Sequence, residues 1–163
     1  MALPDKAQVH AALRAEMQRR QDAAVQSARD AAEGATHEEN RQEGAKDMRA
    51  TESSYIARGQ AMRAEALAED LAKLGGFTPR AFGPDDPLAS GALVRLGVED
   101  AADRVLYLVP VGGGITLTVG GVKITVVTPA APVGRALLGK REGDEFELPL
   151  RGAVREHVVE EVV

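Results

Sequence analysis

Residues 128–145 read TPAAPVGRALLGKREGDE, and this stretch decides how the C-terminal half of the chain folds. Pro132 is typical of a first helical position, and Gly139 is typical of the residue that follows a helix. The pattern between them predicts a short helix over 133–138, with Leu137 and Leu138 entering a core. Strands are predicted on either side, at 122–127 and 145–150. The stretch is therefore expected to place one short helix between two strands.

Other apolar, β-rich runs predict further strands at 92–98, 105–109, 115–119 and 154–159. Gly112-Gly113-Gly114 and Gly120-Gly121 separate three of the runs, and glycine turns of this kind favour tight hairpins. We therefore expect a small, mostly antiparallel sheet with one short helix.

Two long helices are predicted in the N-terminal half, each with one apolar stripe. In the first helix, from Asp5 to Glu33, the stripe consists of Val9, Leu13, Met17, Ala24, Ala28 and Ala31. In the second helix it consists of Met48, Tyr55, Gly59, Met62, Ala66 and Leu74. Each stripe is too narrow to fold alone, so we expect an antiparallel coiled-coil hairpin that reverses between Gly34 and Gly44. The small residues in both stripes predict a close approach of the helices near the tip.

Composition predicts two domains within the 163 residues of the chain. The first 75 positions favour helix, whereas the positions after 91 favour strand. Residues 77–90 contain Pro79, Pro84 and Pro87, which predicts a linker. The predicted fold class is α+β, with a coiled-coil hairpin at 1–76, a linker at 77–90 and an antiparallel β domain at 91–163.

The overall composition argues against several classes of function. A net charge of -5 at pH 7 disfavours a protein whose main partner is a nucleic-acid backbone. The chain has no cysteine, which excludes disulfides and thiolate zinc sites. It has no apolar run typical of a transmembrane helix or a signal peptide. Gly112-Gly113-Gly114 lacks the Gly-Lys-Ser/Thr of a phosphate loop. We expect a monomeric cytoplasmic protein that does not contact membranes.

The stretch from Pro132 to Lys140 resembles the signature of the bacterial Gre transcript-cleavage factors, which reads roughly Ser-Pro-Leu-Gly-Arg-Ala-Leu-Leu-Gly-Lys and is followed by Gly-Asp. The two predicted helices resemble the Gre coiled coil, which enters RNA polymerase. The resemblance implies an FKBP-like C-terminal domain, and it implies that this domain docks on RNA polymerase through Ala131, Pro132, Val133, Gly134 and Arg135. The family commonly has Ser where Ala131 stands.

The predicted tip of the hairpin is acidic, and residues 34–47 read GATHEENRQEGAKD. Gre factors carry a tip that resembles Gly-Asp-Leu-Lys-Glu-Asn, whose Asp and Glu help to hold a second Mg²⁺ beside the metal of the polymerase. Glu39 matches the family's Glu, whereas Thr36 stands where the Asp is expected. The resemblance implies that Glu39, with the neighbouring Glu38, is catalytic and holds Mg²⁺ only in complex with polymerase. Glu43 and Asp47 are further candidates for the missing carboxylate.

These resemblances imply a transcription elongation factor that is an accessory protein and not an enzyme. Its coil would enter the secondary channel of RNA polymerase and promote cleavage of backtracked RNA, so that it acts on the RNA 3′ end through the polymerase. One alternative is a non-cleaving modulator or inhibitor of the same channel. A remote alternative is an FKBP-like prolyl isomerase or chaperone. The β domain has only Tyr107 and Phe146 as aromatic residues, which argues against a prolyl pocket.

Overall fold

The computed structural model describes the backbone of residues 2–41 and 47–163, and the side chains of residues 2–36 and 51–163. Its elements are α1 (Lys6–Arg41), α2 (Asp47–Gly75), β1 (Leu93–Val98), β2 (Arg104–Leu108), β3 (Thr116–Val119), β4 (Val122–Val127), α3 (Pro132–Leu137), β5 (Glu145–Leu150) and β6 (Ala153–Val162). The predicted helical hairpin followed by a mostly antiparallel sheet with one short helix is confirmed. None of the described helices is long and apolar enough to cross a membrane.

The contacts within the chain divide it into two compact units. The β unit combines the residues up to Arg14 with Lys73–Val163, and the coil unit is Ala15–Ala72. The predicted linker contains no helix or strand, but its residues Phe82 and Leu88 are buried in the core of the β unit. The segment is therefore packed against the sheet. The division into 1–76, 77–90 and 91–163 stays a prediction about separable domains.

Helix α1 begins where the sequence predicts, because Asp5 caps it. The Asp5 Oδ1 accepts hydrogen bonds from the backbone N–H groups of Ala7 at 2.7 Å and Gln8 at 3.1 Å. The predicted stripe is confirmed, since all of its members are buried or half-buried. The predicted end of the first helix at Glu33 is wrong, because α1 continues through Gly34 to Arg41. A glycine costs only about 1 kcal/mol in a helix interior. Residues 42–44, the rest of the predicted reversal, lie outside the described residues.

Among the described side chains of the stripe predicted for α2, only Leu74 is buried, so the stripe is wrong at the other positions; the side chain of Met48 lies outside the described residues. Tyr55 is 70% exposed, Met62 is 61% exposed, and a Cβ placed on Gly59 would meet no atom within 4 Å. The shielded residues include Ser53, Ala57, Gln60, Ala64, Leu67, Leu71 and Leu74. Their spacing alternates between four and three, as in a coiled-coil seam. The shielded residues are offset by two positions from the predicted ones, as Ala57 is from Tyr55 and Ala64 from Met62. At about 100° per residue, this offset turns the side chains by about 200° around the helix.

The close approach of the helices that is predicted near the tip does not involve Gly34 or Gly59, and for the alanines it stays a prediction. A Cβ placed on Gly34 meets no atom within 4 Å, as at Gly59. Neither glycine is therefore needed to bring the helices together.

The six strands form one sheet in the order β3-β4-β2-β1-β6-β5. Neighbouring strands are antiparallel except for β2 and β4, which are parallel. β3 therefore lies beyond β4 at one edge and does not pair with β2. Because of this order, Gly112-Gly113-Gly114 belongs to a crossover and is not the predicted hairpin turn. Gly120-Gly121 does form a hairpin turn between β3 and β4, with φ angles of 58° and 79°.

Both faces of the sheet contribute to the core of the β unit. One face packs with α3 and with the 82–88 segment, and this cluster includes Val94, Leu96, Leu106, Leu108, Leu137 and Val159. On the other face, Tyr107 is fully buried and its hydroxyl lies 2.8 Å from His10 Nδ1. Burial raises the pKa of the Tyr107 hydroxyl, and burial together with the nearby Arg14 lowers the pKa of His10. Both shifts favour the neutral forms of this pair.

Candidate functional site

The signature stretch folds into a tight turn that leads into α3. Ala131 is the N-cap residue, with an extended backbone at φ -67° and ψ 151°, and Pro132 begins the helix. The Ala131 N–H donates to the Thr128 carbonyl oxygen at 3.0 Å. A Cβ on Gly134 would lie 1.9 Å from that same oxygen. Position 134 therefore requires glycine for as long as the turn keeps this shape.

The residues after α3 bind the signature to neighbouring segments. The Gly139 N–H donates to the Leu88 carbonyl at 2.9 Å, and the Leu88 N–H donates to the Lys140 carbonyl at 2.7 Å. The Arg141 Nε donates to the Asp85 carbonyl at 2.9 Å. These bonds hold the 82–88 segment against the end of α3. This half of the signature therefore has a structural role.

The predicted polymerase-binding residues differ in exposure. Pro132 and Arg135 are exposed, Ala131 and Val133 are half-buried, and Gly134 is buried. One nitrogen of Arg135, Nη1, donates to the Ala130 carbonyl at 2.6 Å, which holds the guanidinium beside the turn. Gly134 therefore shapes the turn and offers no surface of its own.

The two leucines of the signature have different surroundings. Leu137 is fully buried, whereas Leu138 is 42% exposed. The prediction that both enter the core is therefore wrong for Leu138. α3 ends at Leu137, so Leu138 has left the helical path that would have directed it inward. It adds an apolar side chain to the surface that follows α3.

The predicted metal-holding residues lie near the end of α1. The helical backbone includes Glu38 and Glu39, but their side chains lie outside the described residues. Thr36 is exposed, and its hydroxyl donates to the Ala32 carbonyl at 2.9 Å. It therefore bonds to its own helix and supplies no negative charge where the Gre pattern has Asp. Among the residues that the structure describes, no group of three or more His, Cys, Asp or Glu could hold a metal ion.

Both aromatic rings of the predicted β domain are engaged in packing. Tyr107 is fully buried against His10. Phe146 stacks on the buried His157, with ring centroids 5.4 Å apart and an interplanar angle of 17°. Neither ring is free to line a prolyl pocket, which argues against the isomerase alternative.

Comparison with solved structures identifies similar proteins. The chain is similar to the prokaryotic transcription elongation factor GreA/GreB from Nitrosomonas europaea, with 30% identity over 59% of this chain and 77% of that chain, and a TM-score of 0.38. It is also similar to GreA factor homolog 1 (Gfh1) of Thermus thermophilus, with 18% identity over 92% and 94% of the two chains and a TM-score of 0.38. Gfh1 of Thermus aquaticus is 17% identical over 90% and 91%, with a TM-score of 0.39.

No protein-family model matches the chain, and no curated protein matches it. The TM-scores of 0.38 and 0.39 are too low to support an assignment by superposition. The family assignment rests on the 30% identity, which extends over 77% of the Nitrosomonas protein.

Proposed function

This chain belongs to the Gre family of prokaryotic transcription elongation factors, and on that premise we propose that it binds RNA polymerase as an accessory factor. The observation that carries the proposal is the signature turn. The residues that match the Gre pattern, from Pro132 to Lys140, build one hydrogen-bonded unit in which Gly134 fits beneath the Thr128 carbonyl. Such a turn offers a defined surface for docking.

The docking surface is proposed at the start of α3. Pro132 and Arg135 are exposed there, and the half-buried Ala131 and Val133 lie between and beside them. A guanidinium has five N–H donors. Arg135 therefore has donors to offer a partner in addition to the one that it gives to the Ala130 carbonyl.

At the other end of the protein, the acidic tip is proposed to enter the secondary channel. Glu39 and Glu38 would supply carboxylate oxygens, which are the ligands that Mg²⁺ prefers. An ion bound there would activate water and stabilise the leaving oxygen during hydrolysis of backtracked RNA. The catalytic centre would belong to the polymerase, and the RNA 3′ end would be reached through it. The factor would act as a monomer in the cytoplasm.

Thr36 favours a second candidate, a modulator that binds the same channel without promoting cleavage. Thr36 has no charge, and its hydroxyl is already bonded to the Ala32 carbonyl. The tip would then lack one of the two carboxylates of the Gre pattern. Such a factor would slow or alter elongation instead of shortening the RNA.

The docking proposal is tested by retention of RNA polymerase on the immobilised full chain. Pro132→Arg places a long charged side chain on the exposed start of α3 and should reduce retention without unfolding the β unit. Val154→Arg is the matched control, because Val154 is 63% exposed on β6, away from α3. Equal retention by both variants would contradict docking at α3.

The tip proposal is tested on a stalled, backtracked elongation complex. Glu39→Ala should reduce RNA shortening by about 10²-fold while polymerase binding persists, as expected for loss of a group that stabilises charge. Thr36→Asp should increase it by restoring the family carboxylate. Glu33→Ala removes an exposed carboxylate of α1 outside the tip pair and should have no effect. If Thr36→Asp and Glu39→Ala both leave the rate unchanged, the tip does not hold the ion.

A further inference from the structure

The β unit contains a cavity of about 480 Å³ where strands β2 and β4 begin. α3 follows the opposite end of β4, so the cavity is separate from the signature turn. Its lining includes the charged residues Asp100, Asp103, Arg104, Lys123, Arg151 and Arg155. They come from the β1–β2 loop, β2, β4, the β5–β6 turn and β6. Arg104 and Lys123 are neighbours across the parallel pair, because each precedes a residue of the registered pair Val105 and Ile124.

The cavity carries positive charge that the described residues do not neutralise. In the described part of the chain, Arg104, Lys123 and Arg151 have no ion pair and no side-chain hydrogen bond. Arg155 donates to a neutral group, the Glu99 carbonyl, at 2.7 Å. The carboxylate of Asp103 lies 3.8 Å from the guanidinium of Arg95, which does not line the cavity. The cationic side chains of the lining therefore outnumber its carboxylates, although the whole chain has a net charge of -5.

Holding these cations together is unfavourable without a counter-charge. Burial lowers the pKa of the Arg104 guanidinium, because water is partly excluded from it. Like charges on neighbouring strands repel one another. A cleft lined by one sign of charge also concentrates ions of the opposite sign. An anion in the cavity would relieve the repulsion and the loss of hydration together.

The backbone of two residues that line the cavity adopts an unusual conformation. Within the described chain, Asp100 and Arg151 are the non-glycine residues with positive φ, each at 51°, and both line the cavity. Arg151 and Gly152 form the two-residue turn of the β5–β6 hairpin. Asn-Gly is the favoured pair in such turns, since both residues need positive φ. Arginine is a strained choice at position 151, and local strain of this kind is often associated with binding sites.

We propose that this cavity binds a compact, multiply charged phosphate group, such as the diphosphate or triphosphate part of a nucleotide. Its volume lies within the range of small-ligand sites. Arginine forks match phosphate oxygens, and the Thr125 hydroxyl on β4 adds a further donor. The lining contains no aromatic residue on which a base could stack. Recognition is therefore directed at the phosphates and not at the base.

The test is calorimetric titration of the full chain with inorganic pyrophosphate at low ionic strength. The expected Kd is below about 1 mM, and added salt should weaken the binding. Lys123→Gln and Arg151→Asn should each weaken it by roughly tenfold or more, as expected for loss of a charge-assisted hydrogen bond. Arg29→Gln removes an exposed charge from α1 in the coil unit and should change Kd by less than about twofold.

Arg151→Asn separates binding from folding, because Asn suits the positive φ of the turn. This variant should melt at the same or a higher temperature while it binds pyrophosphate less tightly. A wild-type Kd above about 10 mM, or an unchanged Kd in both cavity variants, would overturn the proposal.

Further titrations distinguish the sources of phosphate. ATP should bind like pyrophosphate, and AMP should bind more weakly because it has a single phosphate. A single-stranded RNA that binds through Lys123 and Arg151 more tightly than pyrophosphate does would overturn the proposal in favour of a nucleic-acid backbone. These measurements contain no polymerase, so their failure would leave the proposed function untouched.

Discussion

Gly134→Ala should destabilise the β unit, although alanine is normally the better helix former. Glycine in a helix interior costs about 0.5–1 kcal/mol relative to alanine. Propensity alone therefore predicts a gain at this position of α3. The added Cβ would, however, lie 1.9 Å from the carbonyl oxygen of Thr128 and 2.9 Å from its carbonyl carbon. Both are backbone atoms, so the contact can be relieved only if the turn moves.

The size of the destabilisation follows from the contacts that a movement of the turn would disturb. Overpacking of a tight site costs about 1–3 kcal/mol. Weakening the hydrogen bond from the Ala131 N–H to the Thr128 carbonyl adds about 1 kcal/mol. Subtracting the gain in helix propensity leaves a net loss of about 1–3 kcal/mol. At about 4–8 °C per kcal/mol for a domain of this size, the melting temperature of the β unit should fall by roughly 5–20 °C.

The melting of the β unit can be followed through the near-ultraviolet circular dichroism of Tyr107, which is fully buried there. Gly59→Ala is the matched control, because it introduces the same methyl group where no atom lies within 4 Å. It should stabilise α2 by about 0.5–1 kcal/mol. A Gly134→Ala melting temperature within about 2 °C of wild type, or above it, would refute the argument that the Thr128 carbonyl dictates glycine.

Three further predictions concern stability. Ala131→Ser should raise the melting temperature of the β unit, because the serine hydroxyl would supply the side-chain cap that α3 lacks. The expected gain in the free energy of unfolding is about 0.5–1 kcal/mol. A lower melting temperature would show that the hydroxyl does not reach the N–H groups of the helix. Gly59→Leu should raise the melting temperature of the coil slightly, because leucine is a better helix former than glycine and the added Cβ meets no atom within 4 Å, whereas Ala64→Asp should lower it by burying a carboxylate in the α2 seam. The opposite ranking by circular dichroism would restore the originally predicted stripe. Hydrogen bonds from Arg19 and Arg20 lower the pKa of Glu16 from 4.5 to about 2, so its stabilising effect is present above pH 4.5 and is lost as the pH falls towards 2. Glu16→Gln should therefore flatten the pH dependence of the helical signal in that window, and an unchanged profile would contradict the pairing.

The strands could be predicted from sequence because apolar runs and glycine turns mark them locally. β4 and β5 have the predicted bounds, and the other strands differ from prediction by a few residues at most. The pairing of the strands was harder to predict from the sequence. The Gly112-Gly113-Gly114 turn looked like a hairpin because nothing nearby in sequence shows that β2 pairs in parallel with β4.

The buried face of α2 could not be found from the largest apolar residues. The first half of its seam is built from small and polar residues such as Ala57, Gln60 and Ala64, whereas Tyr55 and Met62 remain exposed. In the first half of α2, the largest and most hydrophobic residues therefore lie on the exposed face and not in the seam. The heptad spacing of the small residues, which continues through the leucines of the second half, was the signal that would have identified the seam.

The signature turn was visible in sequence because its residues are contiguous. The role of Gly134 was not, since it depends on a carbonyl six positions earlier that the chain folds against it. No pattern in the sequence indicated the cavity. Arg104, Lys123 and Arg151 lie on separate elements and meet only after the sheet has formed.

The most direct test of the account is the length of the RNA in a stalled, backtracked elongation complex after incubation with the purified full chain and Mg²⁺. The account predicts that the RNA is shortened from its 3′ end and that Pro132→Arg, which weakens docking, reduces the shortening. Slower elongation without shortening would leave the non-cleaving modulator as the function. RNA of unchanged length at every Mg²⁺ concentration, together with an unchanged elongation rate, would contradict the proposed action on RNA polymerase.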